Sequence, residues 1–340
     1  MANLLVRNGR GDTIALDPCI ITYAWTGDGM SNAVVGARAY LEQLWQELPE
    51  RERPVLLLHG GPASITSARF ATLLDEVRDA LPQVRVAVGV AGDGGMAKWR
   101  AGECTDDAIV QRFVESARAI EREAPGAITI LDLEEGHKDR DGDARSRADH
   151  EALVRRIFDE SARAAGSLIY GLTSYDHVSQ HSRFPWRAAL KNSACCLFLD
   201  QRYTDVGDPS HGRIAAREKS ADTSQADAER KGLIPADVTP DVSTDVDRVH
   251  LYQLHGQHEG DLIAALAEHE HCAAWCLPLV KDGGRADEAG LLALRAALRI
   301  RSLVGAGPGA VKRFQSLRGL VADGIVGPKT LAQLGLSLPA

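Results

Sequence analysis

Eight short apolar runs recur along most of the chain, and amphipathic segments separate several of them. The runs are Cys19–Trp25, Val55–Leu58, Val84–Val90, Ala127–Leu133, Ser167–Leu172, Cys195–Leu199, Val249–Leu254 and Cys272–Leu279. Near-continuous apolar runs are typical of a parallel sheet covered by helices, because both faces of such a sheet are buried. The intervening segments carry apolar residues three and four positions apart, which predicts helices over 32–48, 67–81, 105–123 and 148–165.

The number of these units indicates the architecture. Eight alternating units within about 280 residues match a (β/α)8 TIM-like barrel in count and size. A doubly wound open sheet is the alternative, although such a sheet usually has fewer strands. We predict an α/β fold with a barrel domain over residues 1–285 and a small all-helical domain over residues 286–340. The polar stretch 203–248, with at most one short helix over 226–231, is then an insertion at the rim of the barrel.

Composition and charge exclude several classes of protein. Hydrophobic residues make up 44% of the chain and charged residues 25%, as in an ordinary globular protein. The net charge of -8 argues against nucleic acid as the main ligand. No apolar run is long enough to span a membrane, and the N-terminus lacks the pattern of a secretory signal. We therefore expect a monomer that is made in the cytoplasm, with its six cysteines reduced.

The C-terminal segment predicts two short helices joined by a turn. A glycine-rich break over 305–309 precedes it, Asp323 and Gly324 form the turn, and Pro328 suits the first position of the second helix. The segment closely resembles the type 1 peptidoglycan-binding domain, whose repeat reads V-x-x-F-Q-x-x-x-G-L-x-x-D-G-I-V-G-P-x-T-x-x-x-L. This resemblance implies binding to the glycan or the stem peptide of the cell wall. The residues that it assigns to the wall-binding module are Phe314, Gln315, Asp323, Gly324 and Thr330.

Candidate catalytic residues lie where the fourth predicted strand ends. Period-two alternation places Ile130, Asp132 and Glu134 on one face, which points into the barrel near the end where barrel enzymes carry their chemistry. Repulsion between two inward carboxylates raises the pKa of one of them, which creates a proton donor beside an ionised partner. Glycoside hydrolysis requires such a pair. The structural alternative is an Asp–Glu pair bridged to Arg or Lys.

This Asp-x-Glu also resembles two families of barrel enzymes that act on N-acetylated sugars. They are the family 25 glycoside hydrolases, which are muramidases, and the family 18 chitinases and glucosaminidases. In both, the residue matching Glu134 is the proton donor and the residue matching Asp132 assists it. The strand-one Asp of family 25 is absent here, as are the first two acids of the family 18 motif, so the family stays open.

Further candidates lie at other predicted strand ends. Asp200 is a possible second catalytic carboxylate, with an ion pair to Arg202 as the alternative. The candidate substrate-binding residues are His59, Tyr175, Tyr203, Gln253 and Trp275. We expect neither a metal nor another cofactor, because the spacing of His255, His258, His269 and His271 fits no zinc site.

Together these features predict a peptidoglycan hydrolase that cleaves the glycan strand, with a C-terminal module that binds the wall. The lack of a signal peptide is typical of a phage endolysin or of an effector that a secretion machine injects, which would act on the wall of the host periplasm after its release. A non-catalytic wall-binding protein with a degenerate barrel is one alternative. A wall amidase or peptidase is the other, and it would need a zinc or Cys–His site.

Overall fold

The computed structural model describes the barrel strands, several of the helices that connect them and the C-terminal pair of helices. The described residues are 4–16, 19–24, 42, 45–46, 55–92, 94–133, 144–175, 184–185, 188–189, 191–203, 247–253, 274–280, 299, 309–324 and 327–335. The predicted helix over 226–231 lies outside them, as does most of the predicted insertion. No helix among the described residues is long and apolar enough to cross a membrane.

Eight parallel strands close into a barrel, in the order β10-β3-β4-β5-β6-β7-β8-β9. The strands in chain order are β1 Leu4–Arg7, β2 Thr13–Leu16, β3 Cys19–Ala24, β4 Val55–Gly60, β5 Arg85–Ala91, β6 Ile128–Asp132, β7 Ile169–Tyr175, β8 Cys195–Tyr203, β9 Asp247–Gln253 and β10 Ala274–Val280. Each of the eight predicted apolar runs coincides with a barrel strand. The predicted barrel is therefore confirmed, and the open sheet is wrong because β10 pairs with β3 and closes the ring.

The described helices are α1 Pro62–Ile65, α2 Ala68–Ala80, α3 Gly94–Arg100, α4 Asp106–Glu123, α5 Arg147–Ala164, α6 Ala310–Leu317 and α7 Pro328–Gln333. Three of them, α2, α4 and α5, agree with the predicted helices to within about one residue, the C-terminal pair α6 and α7 was predicted without bounds, and α1 and α3 were not predicted. Thr105 caps α4 by accepting a hydrogen bond from the Ala108 N–H, and the predicted apolar face of α4 is buried. Of the predicted helix over 32–48, the described residues Glu42, Trp45 and Gln46 are helical.

Helix α5 begins with a reciprocal hydrogen-bonded cap. The Ser146 hydroxyl accepts from the Asp149 N–H, and the Asp149 carboxylate accepts from the Ser146 N–H. These hydrogen bonds hold the pKa of Asp149 below its usual 3.8. The stabilisation of the folded state by this cap is therefore fully present above pH 3.8, and it is lost as the pH falls through the lowered pKa of Asp149.

We expect Ser146→Ala to lower the free energy of unfolding at neutral pH by about 1 kcal/mol, because the Asp149 N–H loses its partner. Ser67 is a matched control, since it is the N-cap of α2 but makes no side-chain cap hydrogen bond. Ser67→Ala should cost less than about 0.5 kcal/mol. Urea unfolding followed by circular dichroism measures both, and equal losses would contradict the role of the cap.

An N-terminal hairpin covers the end of the barrel opposite the predicted catalytic rim. Strands β1 and β2 pair antiparallel. In the loop between them, Gly9 N–H donates to Leu168 O and Arg10 N–H donates to Gly166 O, both at 2.9 Å and just before β7. A Cβ on Gly9 would lie 2.8 Å from Ala162 O, so this close approach requires glycine.

The sequence analysis did not predict this hairpin. Its signal is the pair of turn dipeptides Asn8-Gly9 and Gly11-Asp12 between two short apolar runs. The Asn8 side-chain oxygen accepts from the N–H groups of Arg10 and Asp12, which fixes the loop.

Contacts across the wall of the barrel establish which residues point inward. The Tyr170 hydroxyl lies 2.9 Å from Ser161 O, so this side chain faces α5 on the outside. The next residue, Gly171, faces the interior, because a Cβ there would lie 2.8 Å from Ile130 Cδ1 and 2.9 Å from Leu197 Cβ. Ile130 therefore points inward, as predicted. Asp132 comes two residues later on the same strand and shares that face.

Candidate functional site

The carboxyl ends of the barrel strands form one rim, and several predicted site residues lie there. Asp132 is the last residue of β6 and His59 is the residue before the last in β4. Three other candidates also end their strands: Tyr175 in β7, Tyr203 in β8 and Gln253 in β9. The backbone thus brings five of the predicted residues to the edge where barrel enzymes bind their substrates.

The centre of the described site is a close polar contact between His59 and Asp132. His59 Nε2 lies 3.3 Å from Asp132 Oδ2. The side chains are 10% and 21% exposed, respectively, so the pair is largely withdrawn from solvent but still reachable from the rim. A carboxylate in such surroundings needs a polar partner, and His59 supplies one.

Glycine at position 89 makes this contact possible. Strand β5 lies between β4 and β6, and Gly89 is the register partner of His59. A Cβ on Gly89 would lie 2.4 Å from His59 Cδ2, closer than non-bonded atoms can approach. The His59 ring therefore occupies the space that any other residue at 89 would fill, and it crosses in front of β5 to reach Asp132.

The backbone of Asp132 is held as well as its side chain. Gly92 N–H donates to Asp132 O at 2.6 Å. A Cβ on Gly92 would lie 3.2 Å from that oxygen and 3.1 Å from Met96 Cγ, and Met96 is buried. The loop after β5 is thus packed closely against the end of β6, which holds the backbone of Asp132 in place.

Glu134, the predicted proton donor, lies outside the described residues, but both sides of its segment are anchored. Leu133, immediately before it, is fully buried. On the far side, Ala144 N–H donates to Arg100 O at 3.0 Å. The Arg145 guanidinium donates to Trp99 O at 2.9 Å and to Cys104 O at 2.6 Å.

A buried aromatic cluster supports these anchors, and the sequence analysis did not identify it. Trp99 is fully buried and its indole N–H donates to Asp106 Oδ1 at 2.7 Å. The His150 ring meets it edge-on at 4.9 Å between centroids, and Arg145 lies 5.0 Å over its ring. The cluster joins α3, which follows β5, to the first turn of α4 and to the first turn of α5, which follows β6, near the carboxyl ends of those strands.

Two other predicted residues are placed differently from expectation. Trp275 is the second residue of β10, so about 16 Å of strand separates it from Val280 at the rim. Trp275 thus lies near the amino end of its strand, and its role in substrate binding stays a prediction. Asp200 does not end its strand, because β8 continues to Tyr203. Asp200 pairs in register with Ser174 of β7 and with His250 of β9. Asp132 pairs with Thr173 of β7, which in turn pairs with Leu199 of β8. Asp200 is therefore one position further along the barrel wall than the residue in register with Asp132.

The described part of the chain contains no group of three or more His, Cys, Asp or Glu side chains placed to hold a metal ion. The four histidines considered in the sequence, His255, His258, His269 and His271, lie outside the described residues.

In the C-terminal module, four of the five predicted wall-binding residues form an internal polar network. The Gln315 amide nitrogen lies 2.7 Å from Asp323 Oδ1 and 3.1 Å from Thr330 Oγ1, and its oxygen accepts from Gly324 N–H at 2.8 Å. Gln315 and Thr330 are 2% and 3% exposed. Both side chains are thus turned into the module, and their role in wall binding stays a prediction. They connect α6, the turn and α7, whereas Phe314 is half-buried and Asp323 is exposed.

A contact from residue 299 extends the module toward the N-terminus. Arg299 is helical, and its guanidinium donates to Leu334 O and Gly335 O at 3.0 and 3.2 Å. These carbonyls follow α7, where a cation is favoured. The contact agrees with a module that begins before residue 309. The predicted boundary between residues 285 and 286 stays a prediction.

Comparisons with known proteins agree with this two-part organisation. Residues 309–334 match the family PG_binding_1, described as "Putative peptidoglycan binding domain". A comparison with curated protein sequences finds no match. Among solved structures, the GH5_18 enzyme from Streptomyces cattleya in complex with GlcNAc is 12% identical, with a TM-score of 0.52, over 83% of this chain and 80% of its own.

Two further structures are similar at the same low level of identity. The beta-1,4-D-mannanase from Cryptopygus antarcticus is 10% identical, with a TM-score of 0.49, over 87% of this chain and 94% of its own. The D-psicose 3-epimerase from Clostridium cellulolyticum H10, with D-tagatose, is 10% identical, with a TM-score of 0.47, over 85% of this chain and 98% of its own. The likeness to the GH5_18 structure shows the barrel fold alone, so function has to be argued from the site.

Proposed function

We propose that this protein is a peptidoglycan hydrolase that cleaves the glycan strand and is held on its substrate by the C-terminal module. The main support is the carboxylate of Asp132, which lies at the rim of a closed barrel with one oxygen 3.3 Å from His59 Nε2, on the same chain as a segment that matches a wall-binding family. Tethering raises the effective concentration of a catalytic site on an insoluble polymer.

The proposed reaction is hydrolysis of a glycosidic bond by carboxyl groups. Glu134 donates its proton to the glycosidic oxygen as the bond from that oxygen to the sugar carbon breaks. Water supplies hydroxide to the carbon, and its remaining proton restores Glu134. Asp132 supports the positive charge that develops on the sugar or assists the substrate N-acetyl group. His59 orients Asp132, and Tyr175, Tyr203 and Gln253 line the rim for substrate contact.

The experiment that tests this proposal is lysis in gels that contain purified sacculi, followed by mass spectrometry of the released fragments. New reducing sugar ends with intact stem peptides would support a glycosidase. Cleaved amide bonds would move the assignment to an amidase or peptidase. Wall binding without any released fragment would leave a binding protein with a degenerate barrel.

The same assay tests the expected independence from metal and from disulfides. We expect full activity after EDTA treatment, because general acid catalysis by a carboxyl group needs no metal ion. We also expect full activity in dithiothreitol, since Cys104 and Cys195 are free thiols and burial raises the pKa of Cys195. Loss on chelation that zinc restores, or loss in dithiothreitol, would contradict these expectations.

A further inference from the structure

Helix α3 has one buried face and lies next to the catalytic rim. Met96, Trp99 and Arg100 are three and four positions apart, so they share a face of the helix, and all three are buried. The helix begins at Gly94, shortly after β5 ends at Ala91. Its first turn therefore lies beside the carboxyl ends of the strands, where it can affect the site without touching substrate.

The far end of α3 is held by the two helices that follow it. The indole N–H of Trp99 donates to Asp106 Oδ1 at 2.7 Å, in the first turn of α4. The Arg145 guanidinium donates to Trp99 O at 2.9 Å, and Ala144 N–H donates to Arg100 O at 3.0 Å. These contacts join the last turn of α3 to the starts of α4 and α5, so they hold the helix against the barrel.

The near end of α3 meets the end of β6 at Gly92. The Gly92 N–H donates to Asp132 O at 2.6 Å. A Cβ on Gly92 would lie 3.1 Å from Met96 Cγ and 3.2 Å from Asp132 O, which is closer than ordinary van der Waals contact. Met96 is 1% exposed and lies in a close-packed interior, so it has little space into which it could retreat.

We propose that Met96 is a positioning residue for Asp132. Because its far end is held, α3 packs Met96 against Gly92, and Gly92 in turn holds the main chain from which the Asp132 carboxylate extends. This inference rests on the proposed function, in which Asp132 acts on the sugar. A misplacement of about 1 Å at a catalytic group costs up to about 100-fold in rate, so a buried side chain that fixes the backbone affects turnover without contacting substrate.

Steady-state hydrolysis of soluble glycan fragments from sacculi by the full-length protein tests this role. Met96→Ala should lower kcat about tenfold and leave KM within about twofold of wild type, because Asp132 loses its support while substrate contacts remain. Met96→Leu nearly conserves the volume, so its kcat should stay within about twofold of wild type. All rates are measured below the thermal unfolding transition of each variant, which circular dichroism determines.

The matched control is Ile157→Ala. It removes the same number of side-chain heavy atoms from a fully buried position in the second half of α5, toward the end of the barrel opposite the rim. It should lower the thermal unfolding midpoint, as Met96→Ala does, but change kcat less than about twofold.

Two opposite changes of volume test the contact itself. Gly92→Ala adds a Cβ that has to displace Met96 or Asp132, so it should also lower kcat about tenfold. In Gly92→Ala/Met96→Ala the nearest remaining atom of residue 96 is its Cβ, at an ordinary 3.7 Å from the new Cβ. The added methyl group then has space to move away from Asp132 O, so the double variant should recover to within about threefold of wild type.

Wild-type kcat in Met96→Ala, an equal loss in Ile157→Ala, or a double variant that combines both single losses would each overturn the positioning role. Asp132→Asn separates this result from failure of the proposed function, which falls if that variant keeps wild-type turnover or if the wild type releases no reducing ends. With Asp132→Asn impaired, Met96→Ala should add less than about twofold in that background. A further tenfold loss there would show that Met96 does not act through Asp132.

Discussion

Glu134→Gln should abolish lysis of sacculi and leave the fold unchanged. Glutamine keeps the size and shape of the side chain but has no proton to donate to the leaving oxygen, and loss of a general acid typically lowers the rate about 10²- to 10⁴-fold. The anchors on either side of the segment do not involve this carboxyl group, since Leu133 is buried and Ala144 is bonded to Arg100. The thermal unfolding curve of the variant should therefore overlay that of the wild type.

The neighbouring glutamate supplies the control. Glu135→Gln makes the same chemical change one residue along the chain, where period-two alternation predicts the opposite face. It should retain wild-type turnover, measured as the release of reducing ends from sacculi. Wild-type turnover in Glu134→Gln would remove Glu134 from the proposed mechanism, and equal losses in both variants would show that the segment matters for reasons other than proton donation.

The strands were predictable because burial imposes a simple pattern. Both faces of a barrel strand are covered, so a run such as Val55–Leu58 or Ala127–Leu133 is apolar nearly throughout. Strand ends were less predictable, because a barrel strand can extend into polar sequence at its rim. Strand β8 continues four residues past the predicted end at Leu199, and this extension removes Asp200 from the strand terminus.

The contact between His59 and Asp132 could not be predicted as a pair. Both residues were identified as rim candidates, but their approach depends on register and on a residue of the strand between them. Only the alignment of Gly89 with His59 shows that a missing side chain leaves room for the ring.

The module illustrates the difference between a recognised motif and an assigned role. The motif correctly predicted two helices and the turn at Asp323 and Gly324. It also drew attention to Gln315 and Thr330, which the structure uses internally to join those helices. Polar residues in a small module with little apolar core have to satisfy one another when buried, so a motif residue can serve the fold rather than the ligand.

Gly89→Ala should lower the rate of lysis about 10- to 100-fold, because a misplacement of about 1 Å at a catalytic group has an effect of that size. The added Cβ would lie 2.4 Å from His59 Cδ2, so the ring has to leave its position 3.3 Å from Asp132. Asp132 then loses the partner that orients it. The variant should still fold, since the clash involves a side chain near the rim that can rotate rather than the backbone.

A double-variant comparison isolates this cause. In a His59→Ala background the ring is absent, and the new Cβ at position 89 would lie at an ordinary 3.4 Å from the Cβ of residue 59. Gly89→Ala should therefore add little to the loss already produced by His59→Ala, and the two effects should be far from additive. The rate of lysis and the thermal unfolding curve are measured for both single variants and for the double variant. Fully additive losses would show that Gly89 affects the rate by a route other than the His59 ring, and wild-type activity in His59→Ala would show that Asp132 needs no such partner.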